Sequence, residues 1–98
     1  MRVIWSAKAK TRLREIHNYI AQDSPIRAKQ VVDRLTRWSE KLILKPRVDR
    51  RVPEYGRDDL REVLDRPFRL IYVVTPEAIG IVTVKHYRQQ LPDDPAQL

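Results

Sequence analysis

Two hydrophobic periods divide this chain of 98 residues. Up to about residue 44 the apolar positions recur at helical spacing, and beyond residue 60 they alternate or run together as strands do. Ala9, Leu13, Ile16 and Ile20, with charges between them, predict a helix from Ala7 to about Gln22. Ala28, Val31, Val32, Leu35, Trp38 and Leu42 predict the buried stripe of a second, from Pro25 to about Leu44. Asp23-Ser24-Pro25 separates them: Ser24 can cap the new amino terminus, and Pro25 suits the first helical position, where its missing N–H costs nothing. So short a link folds the helices back as an antiparallel hairpin. Ahead of them, Arg2-Val3-Ile4-Trp5 reads as a short strand, with Ser6 as a helix cap.

Past the hairpin, Pro46 marks a loop, and Arg51–Tyr55 reads as a short edge strand because Pro53 excludes a central one. Leu60–Leu64, Phe68–Thr75 and Ile79–Tyr87 are three strand-like runs, the last two joined as a hairpin through Pro76-Glu77-Ala78. Alternation puts Phe68, Leu70, Tyr72 and Val74 on one face and Arg69, Ile71 and Val73 on the other. In the last strand it sets Ile79 and Ile81 against Val82 and Val84. The expected architecture is a single α+β domain over residues 1–98: an N-terminal strand, then an antiparallel helical hairpin packed on a mainly antiparallel C-terminal sheet. From about residue 91, two Pro and two Asp predict a flexible tail.

Composition narrows the function. With no Cys there is no disulfide framework, thiolate metal site or cysteine nucleophile, and no apolar run is long enough to span a bilayer. The chain opens on a strand rather than on a signal peptide, so a cytoplasmic location is expected. The net charge of +7 is uneven: residues 1–50 carry 13 Lys+Arg against 5 Asp+Glu, and residues 51–98 carry 7 against 8. Lys8, Lys10, Arg12, Arg14, Arg27, Lys29, Arg34 and Arg37 thus make the helical hairpin basic, a face for an acidic protein or nucleic acid, or simply a solvated one. No Asn/Gln/Arg recognition set stands out for direct DNA reading. His17 and His86 lie far apart without supporting carboxylates, so neither a metal nor a cofactor is expected.

The order and spacing of several short pieces resemble the ParE branch of the RelE/ParE toxin superfamily, from type II toxin–antitoxin pairs. They are Tyr19-Ile20-Ala21 with Asp23-Ser24-Pro25 and Ala28, Arg51-Val52-Pro53-Glu54, Leu60-Arg61-Glu62-Val63, Phe68-Arg69-Leu70-Ile71-Tyr72, and Val84-Lys85-His86 with Arg88. Where members often carry Gly-Arg before Val-Pro-Glu, Asp49-Arg50-Arg51 stands here, which implies a differently shaped loop. The ParE branch implies action against DNA gyrase; the RelE branch implies cleavage of messenger RNA in the ribosome. Both imply a hetero-oligomer with a cognate antitoxin, whose acidic disordered segment folds on the toxin.

Cleavage of RNA by its own 2′-OH needs a base, a cation for the phosphate and an acid for the leaving oxygen. Arg61, Arg69 and Arg88 could supply the cation, His86 or Glu62 the base, and Tyr87 the acid. On a regular strand, however, His86 and Tyr87 point to opposite faces, and the aromatic acid near the terminus of RelE-like nucleases has no counterpart here. Structural roles compete for the same residues: an ion pair of Arg69 with Glu62 or Asp65, a pair of Arg61 with Glu62, and a hydrogen-bonded strand-end His86. The reading that follows is a ParE-like gyrase inhibitor in which Arg61, Arg69, His86 and Arg88 contact target or antitoxin. A RelE-like ribonuclease using Arg61, Arg69, His86 and Tyr87 is the alternative, and a non-toxic antitoxin-binding scaffold the third. The sheet face away from the helices, with no further element to cover it, is expected to be the antitoxin's site.

Overall fold

A computed structural model describes all 98 residues. Strand β1 (Arg2–Trp5) leads into helices α1 (Ala7–Ala21) and α2 (Pro25–Lys41), followed by β2 (Arg50–Arg51), β3 (Leu60–Asp65), β4 (Phe68–Val74) and β5 (Ala78–His86). The five strands form one sheet in the order β1-β5-β4-β3-β2. Only β1, parallel to β5, departs from antiparallel pairing. The α+β architecture read from the sequence is the one observed.

Both helices start where their caps predict. Ser6 Oγ accepts from the Ala9 N–H at 3.0 Å and Ser24 Oγ from the Arg27 N–H at 3.2 Å, with Pro25 in the first turn of α2. Each such cap contributes about 1 kcal/mol. Ala9 is buried and Leu13, Ile16 and Ile20 are partly buried against the main core. On α2 the buried positions are Ala28, Val31, Leu35, Ser39 and, at its end, Leu42. Trp38, expected in that stripe, is 37% exposed with the Lys41 ammonium 5.4 Å from its ring centre. The turn of the helix carries Ser39 inward in its place, where its hydroxyl accepts from Trp5 Nε1 at 3.3 Å. The helix also stops at Lys41, before Leu44.

Phe68, Leu70, Tyr72 and Val74 face the helices, together with Val63, Ile79 and Ile81. Val84 joins them, against expectation. Ile71 pairs with Thr83 but Tyr72 pairs with Ile81, so Val82 is an extra residue. This bulge reverses the alternation beyond it, turning Val84 to the helices and Thr83 to the other face. Thr83 is fully buried there, and its hydroxyl has no protein partner.

The face away from the helices is covered in part by the chain itself, and an open apolar groove of about 440 Å3 remains on it beside Ile4, Val73, Gly80 and Val82. Val52, Leu60, Ile71, Leu91 and Leu98 form a second buried cluster. The expected strand over Arg51–Tyr55 pairs only at Arg50 and Arg51, after which Tyr55 and Gly56 N–H groups close a turn onto the Val52 carbonyl. Gly56 takes φ +64°, a conformation that a Cβ would strain. The segment from residue 91, expected to be flexible, packs down through Leu91 and Leu98 and a short 3-10 turn at Pro95–Gln97. The Tyr55 hydroxyl donates to the Pro92 carbonyl at 2.6 Å, and Lys8 Nζ to the Gln97 carbonyl at 3.1 Å. No helix is long and apolar enough to cross a membrane.

Candidate functional site

Alternation along β3 and β4 sends Glu62 and Arg69 to the helix-free face, within reach of each other across the ladder. Arg69 donates from Nε to Glu62 Oε2 at 2.7 Å, and from both terminal nitrogens to the Glu54 carboxylate at 2.8 Å. Arg50 also meets Glu62, whose side chain is fully buried, at 2.8 Å. The Glu54 carboxylate, with the burial of Arg69 opposing it and Glu62 adding to it, holds the Arg69 guanidinium charged well above its usual range. In return, the Arg69 hydrogen bonds keep Glu54 below the ordinary carboxylate value. Of the structural pairs expected for Arg69, Glu62 is realised, whereas Asp65 pairs with Arg34 of α2 at 2.6 Å.

Arg61, one residue from Glu62, points to the opposite face, so the expected Arg61–Glu62 pair does not form. Its guanidinium donates to the carbonyls of Arg47 (3.1 Å), Asp49 (2.9 Å) and Asp58 (2.9 Å) and to Asp58 Oδ1 (2.7 Å). Beside it the Tyr72 hydroxyl lies 3.0 Å from the Pro46 carbonyl and 3.2 Å from Asp49 Oδ2. Burial first, and then the Asp49 charge, push the Tyr72 phenol far above its usual range, so it stays a donor. Together these side chains fix the loop from residue 45 to 50 to the sheet.

His86, Tyr87 and Arg88 sit where β5 ends. Strand geometry stops at His86, and the following turn stacks the His86 and Tyr87 rings with centroids 5.0 Å apart. The expectation that they face opposite ways fails, because Tyr87 is no longer on the strand. The other face of the His86 environment is Phe68, edge-on at 6.4 Å. His86 Nδ1 accepts from the Arg88 N–H at 3.2 Å, and Arg88 Nε donates to the Tyr87 hydroxyl at 3.0 Å. Arg69 and Tyr87 meet across an open cleft of about 340 Å3, lined also by Arg50, Glu54, Leu64 and Arg66. Arg61 lies outside it. The partnership of Glu54 and Arg50 with this group was not legible, since they belong to a loop whose path no periodicity predicts. No group of His, Asp or Glu side chains is placed to hold a metal ion.

The basic hairpin is partly neutralised. Arg12 pairs with Glu15 at 3.1 Å, Lys29 with Asp33 at 2.7 Å and Arg34 with Asp65. Lys10 and Arg14 have no carboxylate partner, and they flank an apolar groove of about 400 Å3 floored by Trp5, Leu13 and Val32, with His17 at its edge.

These features define a small α+β fold with a helical hairpin over a five-stranded sheet, in which Arg61 and Arg69 of the sheet hold the neighbouring loops. A chain from the solved chromosomal ParDE toxin–antitoxin system of P. aeruginosa shares it, with a TM-score of 0.74 and 23% identity over 88% of this chain and 95% of that one. No curated protein matches. The family model of the ParE toxin of the type II toxin–antitoxin system parDE matches residues 3–91, and the chain belongs to that family.

Proposed function

We propose that this ParE-family toxin acts by binding, inhibits DNA gyrase, and is neutralised by an acidic antitoxin segment that orders on its surface. The observation that carries the reading is the engagement of the strand arginines. Arg69 is held by two carboxylates and Arg61 by three carbonyls and a carboxylate, so neither is free to receive a phosphate. Lys10 and Arg14, which pair with no carboxylate, lie beside an apolar groove of the kind that takes an amphipathic acidic segment. The sheet face expected from the sequence is covered in part by the tail and keeps an open apolar groove of its own beside Ile4 and Val82. On this reading His86 and Arg88 are surface contacts, and Arg61 and Arg69 act through the loops they hold.

A second reading, a ribosome-dependent ribonuclease, draws on the stacking of His86 on Tyr87 beside Arg88. Pulse labelling after induction without antitoxin separates the two. DNA synthesis failing first is the expected result; translation failing first would favour the nuclease. If neither fails, the chain is a non-toxic scaffold. His86→Ala is expected to leave growth arrest largely intact; a folded, antitoxin-binding variant that still represses DNA synthesis first supports the binding reading, and one that loses translation arrest selectively would overturn it.

A further inference from the structure

The end of α2 and the loop after it display apolar side chains that the fold does not use. Leu44 is 80% exposed, Val48 69% and Trp38 37%, around a depression of about 290 Å3. These are not residues of a loose connection. The Leu44 and Val48 N–H groups close turns onto the carbonyls of Lys41 (3.1 Å) and Lys45 (3.3 Å). From beneath, Arg61 holds the Arg47 and Asp49 carbonyls and the Tyr72 hydroxyl holds that of Pro46. A half-buried guanidinium and a buried phenol thus fix a loop whose apolar residues point outward, which keeps Leu44 and Val48 from collapsing onto the core.

The charge around the depression has one sign. Residues 37–50 carry five Lys+Arg against two Asp+Glu. Lys41 and Lys45 pair with no carboxylate, and Asp49, which also lines the depression, is turned inward to Tyr72. The patch shares no residue with the groove flanked by Lys10 and Arg14. We propose that Trp38, Leu44 and Val48, rimmed by Lys41 and Lys45, form a second docking surface, for an acidic protein surface carrying an apolar anchor: the target on which the toxin acts. A rigid aromatic and aliphatic centre inside a cationic rim is the arrangement that concentrates binding energy and speeds encounter with an acidic partner. This inference rests on the reading that the toxin acts by binding.

The test compares the wild-type chain with Leu44→Ser/Val48→Ser and Lys41→Glu/Lys45→Glu double variants. The readouts are growth arrest on induction, inhibition of supercoiling by purified gyrase, and thermal melting to verify folding. All four side chains are exposed, so melting is expected to change little. Both variants are expected to need about tenfold more protein for half-inhibition, the loss of a single good anchor contact, and to arrest growth weakly. Undiminished potency in the folded variants would overturn the proposal. So would undiminished potency with weakened rescue by the cognate antitoxin, which would put the antitoxin on the patch. A wild-type chain that arrests growth without inhibiting gyrase removes gyrase as target; growth arrest by the variants then still decides on the patch. A wild-type chain inactive in both assays overturns the two readings together.

Discussion

The two faces of the sheet are held by different chemistry. Toward the helices lies a cluster of 12 buried residues, all apolar but for one tyrosine hydroxyl, assembled from Ala9, Leu35, Leu70, Tyr72, Ile79 and their neighbours. Away from the helices lies a cluster of five, Val52, Leu60, Ile71, Leu91 and Leu98, bordered by the Arg69–Glu62–Glu54–Arg50 network. The first face tolerates imperfection, because apolar contact is non-directional and spread over many side chains. The second depends on single partners, because a buried charge that loses its counter-ion cannot be solvated in place.

That contrast can be broken from either side. The largest effect is expected from Arg69→Ala, which leaves Glu62 buried with only Arg50 beside it and should cost about 3–5 kcal/mol in urea unfolding. Replacing Arg69 and Glu62 together by Met should recover most of this loss; failure to recover would show that the network contributes more than mutual compensation. On the helix face, Leu35→Ala removes a fully buried side chain and should cost about 3 kcal/mol. Leu91→Ala, on the smaller cluster, should cost about 2 kcal/mol and open the tail to proteolysis. A tail cleaved equally in wild type and variant would contradict the packing described for it.

Acid should act first on the ion pairs of the loops and the helix-free face. Hydrogen bonds from Arg69 depress Glu54, from Arg51 depress Asp58, and from Arg57 depress Asp59. A carboxyl whose folded pKa lies below its unfolded one contributes stability that is present above the unfolded value and lost as pH falls through the folded one. Thermal melting should therefore be level near neutrality and fall below about pH 4, the ordinary carboxyl range, and Glu54→Gln should make that fall shallower. The smallest change, and the one of opposite sign, is Thr83→Val. Removing a buried hydroxyl without a protein partner should raise stability by about 1 kcal/mol.

Legibility in the sequence followed the same division. The helical hairpin, its caps and the face shared by Phe68, Leu70, Tyr72 and Val74 come from periods and from Ser and Pro positions that act over a few residues. The pairing of Arg69 with Glu62 was also readable, since both lie on adjacent strands. Val84 was placed on the wrong face because one inserted residue, Val82, reverses a strand's phase without leaving any mark in composition. Leu91 and Leu98 were misread because two leucines among Pro and Asp show no period, although each finds a buried seat. Arg61 and Trp38 were misplaced for a related reason: one folds under a loop and the other lies one helical step off the core, and both facts depend on tertiary geometry. Of the candidate site, the residue types were visible and their convergence was not.

The parallel pairing of residues 2–5 with residues 78–81 has a consequence in time. A ribosome releases the chain in order, so β1 and both helices emerge while the strand they must join is still unmade. The sheet cannot be completed until β5 has been synthesised, and β1 then joins it as an edge strand across most of the intervening chain. Folding that waits on so distant a contact is slow compared with that of locally built domains. The toxin therefore lacks its complete sheet until residues 78–86 have been made, and the interval before it can act includes their elongation and the docking of β1.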